Sequence, residues 1–90
     1  MLNPWHVYIV QCADGILYTG ITQDIEERIK RHNASRGARF TKGRGPVRLM
    51  YQENLIDKGS ALRREMEIKQ LSRRNKERLI KSCRFSLATG

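Results

Sequence analysis

The residues with chemistry to offer gather early in the chain. Tyr8 and Tyr18 stand ten positions apart in the stretch YIVQCADGILYTGITQDIEERIKRH, and Arg28 and His32 stand four apart near its end. Two phenols, a guanidinium and an imidazole can between them exchange protons and hold an anion. Together they look like an active site assembled on a hairpin and the helix that follows it. Taken singly, each has a plainer reading: the tyrosines as cross-strand aromatics, Arg28 as a snorkelling arginine and His32 as a satisfied histidine. A fifth candidate, Glu65, lies in the later run ALRREMEIKQL. With Ala61 at zero and about 100° per residue, Leu62, Met66, Ile68 and Leu71 share a broad arc with Ala61, and Glu65 falls at about 40°, close to its middle. Glu67 falls on the opposite side and reads as solvated surface. An acid in an apolar stripe is costly unless it is paired or binds a metal. Lys69, four residues on in the favoured Glu-to-Lys order, is the available partner; the helix pattern leaves pair and metal both open.

These side chains need a scaffold. Trp5 to Cys12 is rich in β-branched and aromatic residues and reads as a strand. Asp14-Gly15 then signals a hairpin, and Ile16 to Ile21 is the partner strand. Alternation puts His6, Tyr8 and Val10 on one face of the first strand, and Ile16, Tyr18 and Gly20 on one face of the second. The two tyrosines share a side if the hairpin closes at Asp14-Gly15, a register the sequence does not set. Gly20 inside a strand suggests that something approaches the backbone closely there. Thr22 or Asp24 caps a helix to about Asn33, with Asp24 and Glu27 spaced as a capping box. Its residues Ile25, Arg28, Ile29 and His32 form one stripe facing the sheet.

Residues 34–46 form a loop broken by three glycines and Pro46. It carries Arg36, Arg39, Lys42 and Arg44 without an acid, so it repels itself unless a polyanion is present, and it reads as a phosphate-contacting element. Val47 to Asn54 makes a third strand, with Val47, Leu49 and Tyr51 on one face. A second helix runs from about 57 or 58 to 71 and a third from about 73 to 82, leaving residues 83–90 as a frayed tail. The expected fold class is α+β, a small three-stranded, mainly antiparallel sheet flanked by about three helices, in one domain over residues 1–90.

Composition narrows the partners. Eighteen Lys and Arg against nine Asp and Glu leave a net charge of +9 on 90 residues, which favours nucleic acid. No apolar run approaches the ~20 residues of a membrane-spanning helix, and the start MLNPWHVY lacks the features of a signal peptide. Cys12 and Cys83 fit neither a metal pattern nor a disulfide framework and are read as reduced thiols of a cytoplasmic protein. A monomer is the default expectation.

On these residues the chain resembles the GIY-YIG nuclease superfamily, and within it the small stand-alone bacterial single-domain group. His6-Val7-Tyr8 and Tyr18-Thr19-Gly20 stand where the two signature triplets stand, keeping only their functional Tyr and Gly positions. Arg28 and His32 match the family's helical Arg and the His one turn later, and Glu65, four after Ala61, its metal-binding Glu. HNASRGARFTKGRGPVRLMYQE and ALRREMEIKQL also look like the single-domain group. The resemblance implies a metal-dependent endonuclease that hydrolyses phosphodiester bonds of DNA, in preference to RNA, with structured and single-stranded forms among its targets. It implies one divalent cation, Mg²⁺ or Mn²⁺, held by Glu65 with waters near the scissile phosphate. Arg28 would contact that phosphate. Tyr8 or Tyr18 would be the base that prepares the attacking water, with Tyr8 favoured and Tyr18 as its positioning partner. A phenol needs nearby positive charge or an acceptor to do this at neutral pH. His32 would relay the proton or fix the phenol, and Gly20 would leave room for substrate. No segment reads as the second domain with which larger members choose targets, so the alternative is a nucleic-acid-binding module of the same fold with little or no cleavage.

Overall fold

A computed structural model describes residues 4–33 and 46–89, the last seven of these by backbone alone. The basic loop residues Arg36, Arg39, Lys42 and Arg44 lie outside the described residues. The chain order is β1 (Trp5–Gln11), β2 (Leu17–Thr22), α1 (Ile25–Asn33), β3 (Arg48–Leu55), α2 (Lys58–Lys69) and α3 (Arg73–Thr89). The expected α+β class holds: β1 is the middle strand of a β2-β1-β3 sheet and antiparallel to both neighbours.

β1 is central because it is apolar on both faces. Val7, Tyr8, Ile9 and Val10 are all fully buried, which requires a layer on each side of the sheet. Val7 and Ile9, with Tyr51, pack against Ala61 and Ile68 of α2 and Ile80 of α3. Tyr8 and Val10 face the other way, with Cys12 and Val47, and are covered by Ile25 and Ile29 of α1. The hairpin closes as Asp14-Gly15 predicts. Gly15 adopts φ +89°, a region open to glycine, while its N–H and that of Cys12 bond the carbonyls of Cys12 and Ile16, each at 2.8 Å.

The third strand corrects one expectation. Ile9 pairs with Tyr51 but Val10 pairs with Leu49, so β3 carries a bulge at Met50. A bulge resets the alternation. Val47 therefore packs with Tyr8 on one face and Tyr51 with Val7 on the other, instead of sharing a face.

The second helix departs from its apolar arc. Leu62 and Met66 are 42% and 60% exposed, and only Ala61 and Ile68 are buried. The inward place goes partly to Arg64. Its Nε donates to both carboxylate oxygens of Glu53 on β3, at 2.9 and 3.2 Å, and its Nη1 donates to Glu67 at 3.0 Å. Tyr51 Oη donates to Glu53 Oε2 at 2.5 Å. Glu65 is thus at the border of the buried arc, not in its middle. Helix α3 runs seven residues past its expected end at Ser82, as no Gly or Pro interrupts it before Gly90.

Burial and the Glu53 carboxylate push the Tyr51 phenol up to about 12 from 10.0. The unfolded chain then releases this proton first, so stability should fall as pH rises from about 10 to 12. An alkaline denaturation series should show that loss, and Glu53→Gln should shrink it.

Candidate active site

The register brings the two tyrosines to one face. Tyr8 lies opposite Gly20 and Tyr18 opposite Val10, and paired residues point the same way. Gly20 is buried, and a Cβ there would stand 2.6 Å from Tyr8 Oη. The close approach read from a glycine inside a strand is therefore made by the Tyr8 ring, which occupies the room assigned to substrate. Gly20 acts through Tyr8 by letting the phenol lie flat across β2.

Helix α1 supplies the other half. Asp24 Oδ1 accepts from the Glu27 N–H at 3.1 Å and starts the helix. The capping box is one-sided, because the Glu27 carboxylate takes Arg31 Nε at 3.2 Å. Four-residue spacing then brings Arg28 and His32 to the sheet side. Arg28 Nε donates to Tyr8 Oη at 3.3 Å, and His32 Nε2 is 3.0 Å from the same oxygen. The aromatic rings form a triangle, with centroids 6.5 Å apart for Tyr8–Tyr18, 5.9 Å for Tyr8–His32 and 5.6 Å for Tyr18–His32. At the helix end, Asn33 Oδ1 accepts from the Val47 N–H at 2.6 Å and ties α1 to the start of β3. Arg28 also borders an open depression of about 360 Å³ together with Arg31 and the carboxylates Asp24 and Glu27.

The electrostatics set the resting protonation. Burial raises Tyr8; the Arg28 hydrogen bond and charge pull the other way, and Tyr18 and Glu65 add to the rise. Burial and then the Arg28 charge lower His32. At neutral pH the phenol is protonated and the imidazole neutral. Arg28 donates to Oη, and in the tautomer that carries the imidazole proton on Nδ1 the phenol O–H donates to His32 Nε2. That tautomer gives a directed chain, Arg28 to Tyr8 to His32.

Of the two readings of Glu65, the structure shows the pair. Its Oε2 lies 3.3 Å from Lys69 Nζ, the expected pair, with the glutamate side chain 16% exposed. Its charge also reaches Tyr8. No cluster of three or more His, Cys, Asp or Glu able to cage a metal occurs among the described residues. A single carboxylate is the type of ligand Mg²⁺ takes, since it keeps several waters and binds one or two carboxylates. Lys69 is half exposed and free of the core. Glu67 is surface, as expected, with its side chain 66% exposed. Sequence reasoning missed the Tyr51–Glu53–Arg64 network that docks α2. Its members come from two elements without a shared motif, and the only hint was an inward arginine beside Glu65.

Two measurements follow from this geometry. The unfolded chain takes up the His32 proton more readily than the folded one, so stability should be full above pH 6.5 and decline as pH falls below it; His32→Gln should remove that component of an acid titration. Gly20→Ala should destabilise by about 1–3 kcal/mol through overpacking against Tyr8, and an unchanged melting curve would contradict the packing described.

Comparison with known proteins gives the family. The family described as "GIY-YIG catalytic domain" matches residues 4–78. The UPF0213 protein DP2720 of Desulfotalea psychrophila is 56% identical over 79 residues, covering 87% of this chain and 72% of its own. The UPF0213 protein VNG_2274C of Halobacterium salinarum is 51% identical over 74 residues, covering 82% of this chain and 96% of its own. The solution NMR structure of the UPF0213 protein BH0048 from Bacillus halodurans has a TM-score of 0.57 at 47% identity, covering 87% of this chain and 83% of that one. The match spans every residue of the site from Tyr8 to Glu65, and the chain belongs to the GIY-YIG catalytic-domain family.

Proposed function

We propose that this chain is a metal-dependent endonuclease that hydrolyses phosphodiester bonds of DNA. The observation that carries the reading is the Tyr8 hydroxyl held between Arg28 and His32, at 3.3 and 3.0 Å. A structural tyrosine needs one partner; this one has a cation on one side and a neutral proton acceptor on the other.

The residues divide the work. Tyr8 is closed to solvent in the free chain, so DNA binding would have to admit the attacking water to Oη. That water gives up a proton to Oη while the phenol passes its own to His32 Nε2. The phenol thereby acts as a base without becoming a free phenolate, which its burial opposes. The hydroxide attacks phosphorus and the P–O bond to the leaving 3′ oxygen breaks, with that oxygen taking a proton from solvent. Arg28 holds the phosphate oxygens on which charge develops. Tyr18 keeps the Tyr8 and His32 rings in place from the edge. Glu65 is the residue that would hold a divalent cation, Mg²⁺ or Mn²⁺, after releasing Lys69. When bound, the cation supplies charge neutralisation at the phosphate and leaving oxygen. The basic loop, Arg36, Arg39, Lys42 and Arg44, would track the backbone of the nucleic acid.

A second reading has its own support. The Lys69–Glu65 pair at 3.3 Å and the raised Tyr8 both suit a module of this fold that binds nucleic acid and cuts slowly or not at all. Incubating the chain with flap, branched and single-stranded DNA in Mg²⁺, Mn²⁺ or EDTA separates the two. Cleavage that EDTA abolishes supports the nuclease, and binding without cleavage in every arm supports the module.

Glu65→Gln should abolish metal-dependent cleavage with folding and binding nearly intact, because a carboxamide fills the same space but is a poor ligand for a hard cation. Glu67→Gln should leave the rate unchanged. Lys69→Ala should keep cleavage and lose about 0.3–0.5 kcal/mol of helix stability. Full activity in Glu65→Gln would retire the metal site. For the loop, Arg39, Lys42 and Arg44 changed together to Ala should flatten the log–log salt dependence of duplex binding by about 0.9 per lost contact.

A further inference from the structure

Helix α3 keeps a row of positive charge that the fold does not use. Arg74, Arg78 and Lys81 are exposed and, together with Glu77, line a surface depression of about 310 Å³. They lie roughly 100–160° around the helix from Ile80, the residue that enters the core, so they point away from the sheet. Residues three and four apart on a helix are neighbours, and like charges at that spacing weaken it. The arrangement therefore opposes helix stability.

The acids cannot relieve it. Glu27 is held by Arg31, Glu53 and Glu67 by Arg64, and Glu65 by Lys69. Glu77, the acid on α3 among the described residues, is taken by Arg73 at 3.1 Å. Asp24 and Asp57 cap helices and Asp14 bonds the hairpin backbone. Glu26 remains, on α1 across the sheet. No ion pair reaches Arg74, Arg78 or Lys81 among the described residues, and their charge is left to mobile counterions, whose release drives association with a polyanion.

The row also sits away from the tyrosine site. Tyr8 and α1 occupy one side of the sheet, and α3 packs through Ile80 on the other. Arg74 to Lys81 spans about 10 Å of helix, the axial length of about three phosphate steps of one DNA strand. We infer that the outer face of α3 is a second surface for the phosphate backbone of duplex DNA, on the opposite side of the sheet from the site where Tyr8 acts. The inference rests on the nuclease reading for its choice of DNA over another polyanion.

The test is duplex binding by fluorescence anisotropy over a salt series in EDTA, where no metal-dependent cleavage occurs. The triple variant Arg74→Ala, Arg78→Ala, Lys81→Ala should lose up to about 2.7 in log–log slope, about 0.9 per contact, and bind roughly tenfold or more weakly at moderate salt. The charge-keeping triple Arg74→Lys, Arg78→Lys, Lys81→Arg should retain binding, and circular dichroism checks that each variant folds. Lys30→Ala, Lys58→Ala, Arg63→Ala removes the same charge elsewhere and should change the slope less. Because none of the three side chains pairs with Glu65, whose partner is Lys69, the α3 effect should be the same size in Glu65→Gln. An unchanged slope, an equal effect from the control triple, or a parent chain that does not bind duplex would each overturn the inference. A parent that binds through α3 yet cuts nothing would overturn the nuclease reading alone, and a parent that cuts while the α3 variant binds normally would overturn this surface alone.

Discussion

One oxygen organises the chemistry-bearing layer: Tyr8 Oη. It receives a hydrogen bond from Arg28 and faces His32 Nε2, and it lies over a glycine because any Cβ would collide with it. Each of these is a demand on a different element. β1 must be central for the phenol to be buried, β2 must carry Gly20 opposite Tyr8, and α1 must be capped at Asp24 so that Arg28 and His32 descend one turn apart. Burial then pulls the phenol and the imidazole in opposite directions, raising one and lowering the other. A protonated donor next to a neutral acceptor is what a proton relay needs at rest.

The other side of the sheet is built for holding rather than reacting. There α2 docks through Arg64 on Glu53 and Tyr51, a partly buried network in which Arg64 Nε is shared between the two oxygens of the Glu53 carboxylate. Removing the Glu53 carboxylate would take the acceptor from the Tyr51 hydroxyl and leave Arg64 with Glu67 alone, the expensive way to break such a network. That docking sets the rotation of α2, and through it the position of Glu65 one residue along. The metal-ligand candidate is thus oriented by a salt bridge on its neighbour. Its own pair with Lys69 is half solvated and weak by comparison.

Much of this could be read in the residues. The Asp-Gly turn, the β-branched first strand and the Asp24 cap are local signals, and they led to the right hairpin and the right helical stripe. Alternation puts Tyr8 and Tyr18 on one side if the hairpin closes at Asp14-Gly15, and the register that does so was left to the fold. What escaped was non-local. The bulge at Met50 depends on how β3 meets β1, and it reversed the face of Val47 relative to Tyr51. The exposure of Leu62 and Met66 reflects the Arg64 network, whose partners sit on another strand. Gly20 was understood as a close approach, but which atom approaches is a tertiary fact. The end of α3 was misplaced because residues 83–90 were read as a frayed terminus, whereas no helix breaker stands before Gly90.

The central claim is that the Tyr8 hydroxyl takes the proton from the attacking water. Single-turnover cleavage by Tyr8→Phe, on a substrate the parent chain cuts and at saturating divalent cation, addresses it directly, because phenylalanine keeps the ring over Gly20 and removes only the oxygen. The relay predicts a rate lower by about 10²–10⁴-fold with DNA affinity unchanged. Cleavage at the parent's rate would contradict it and place the base elsewhere.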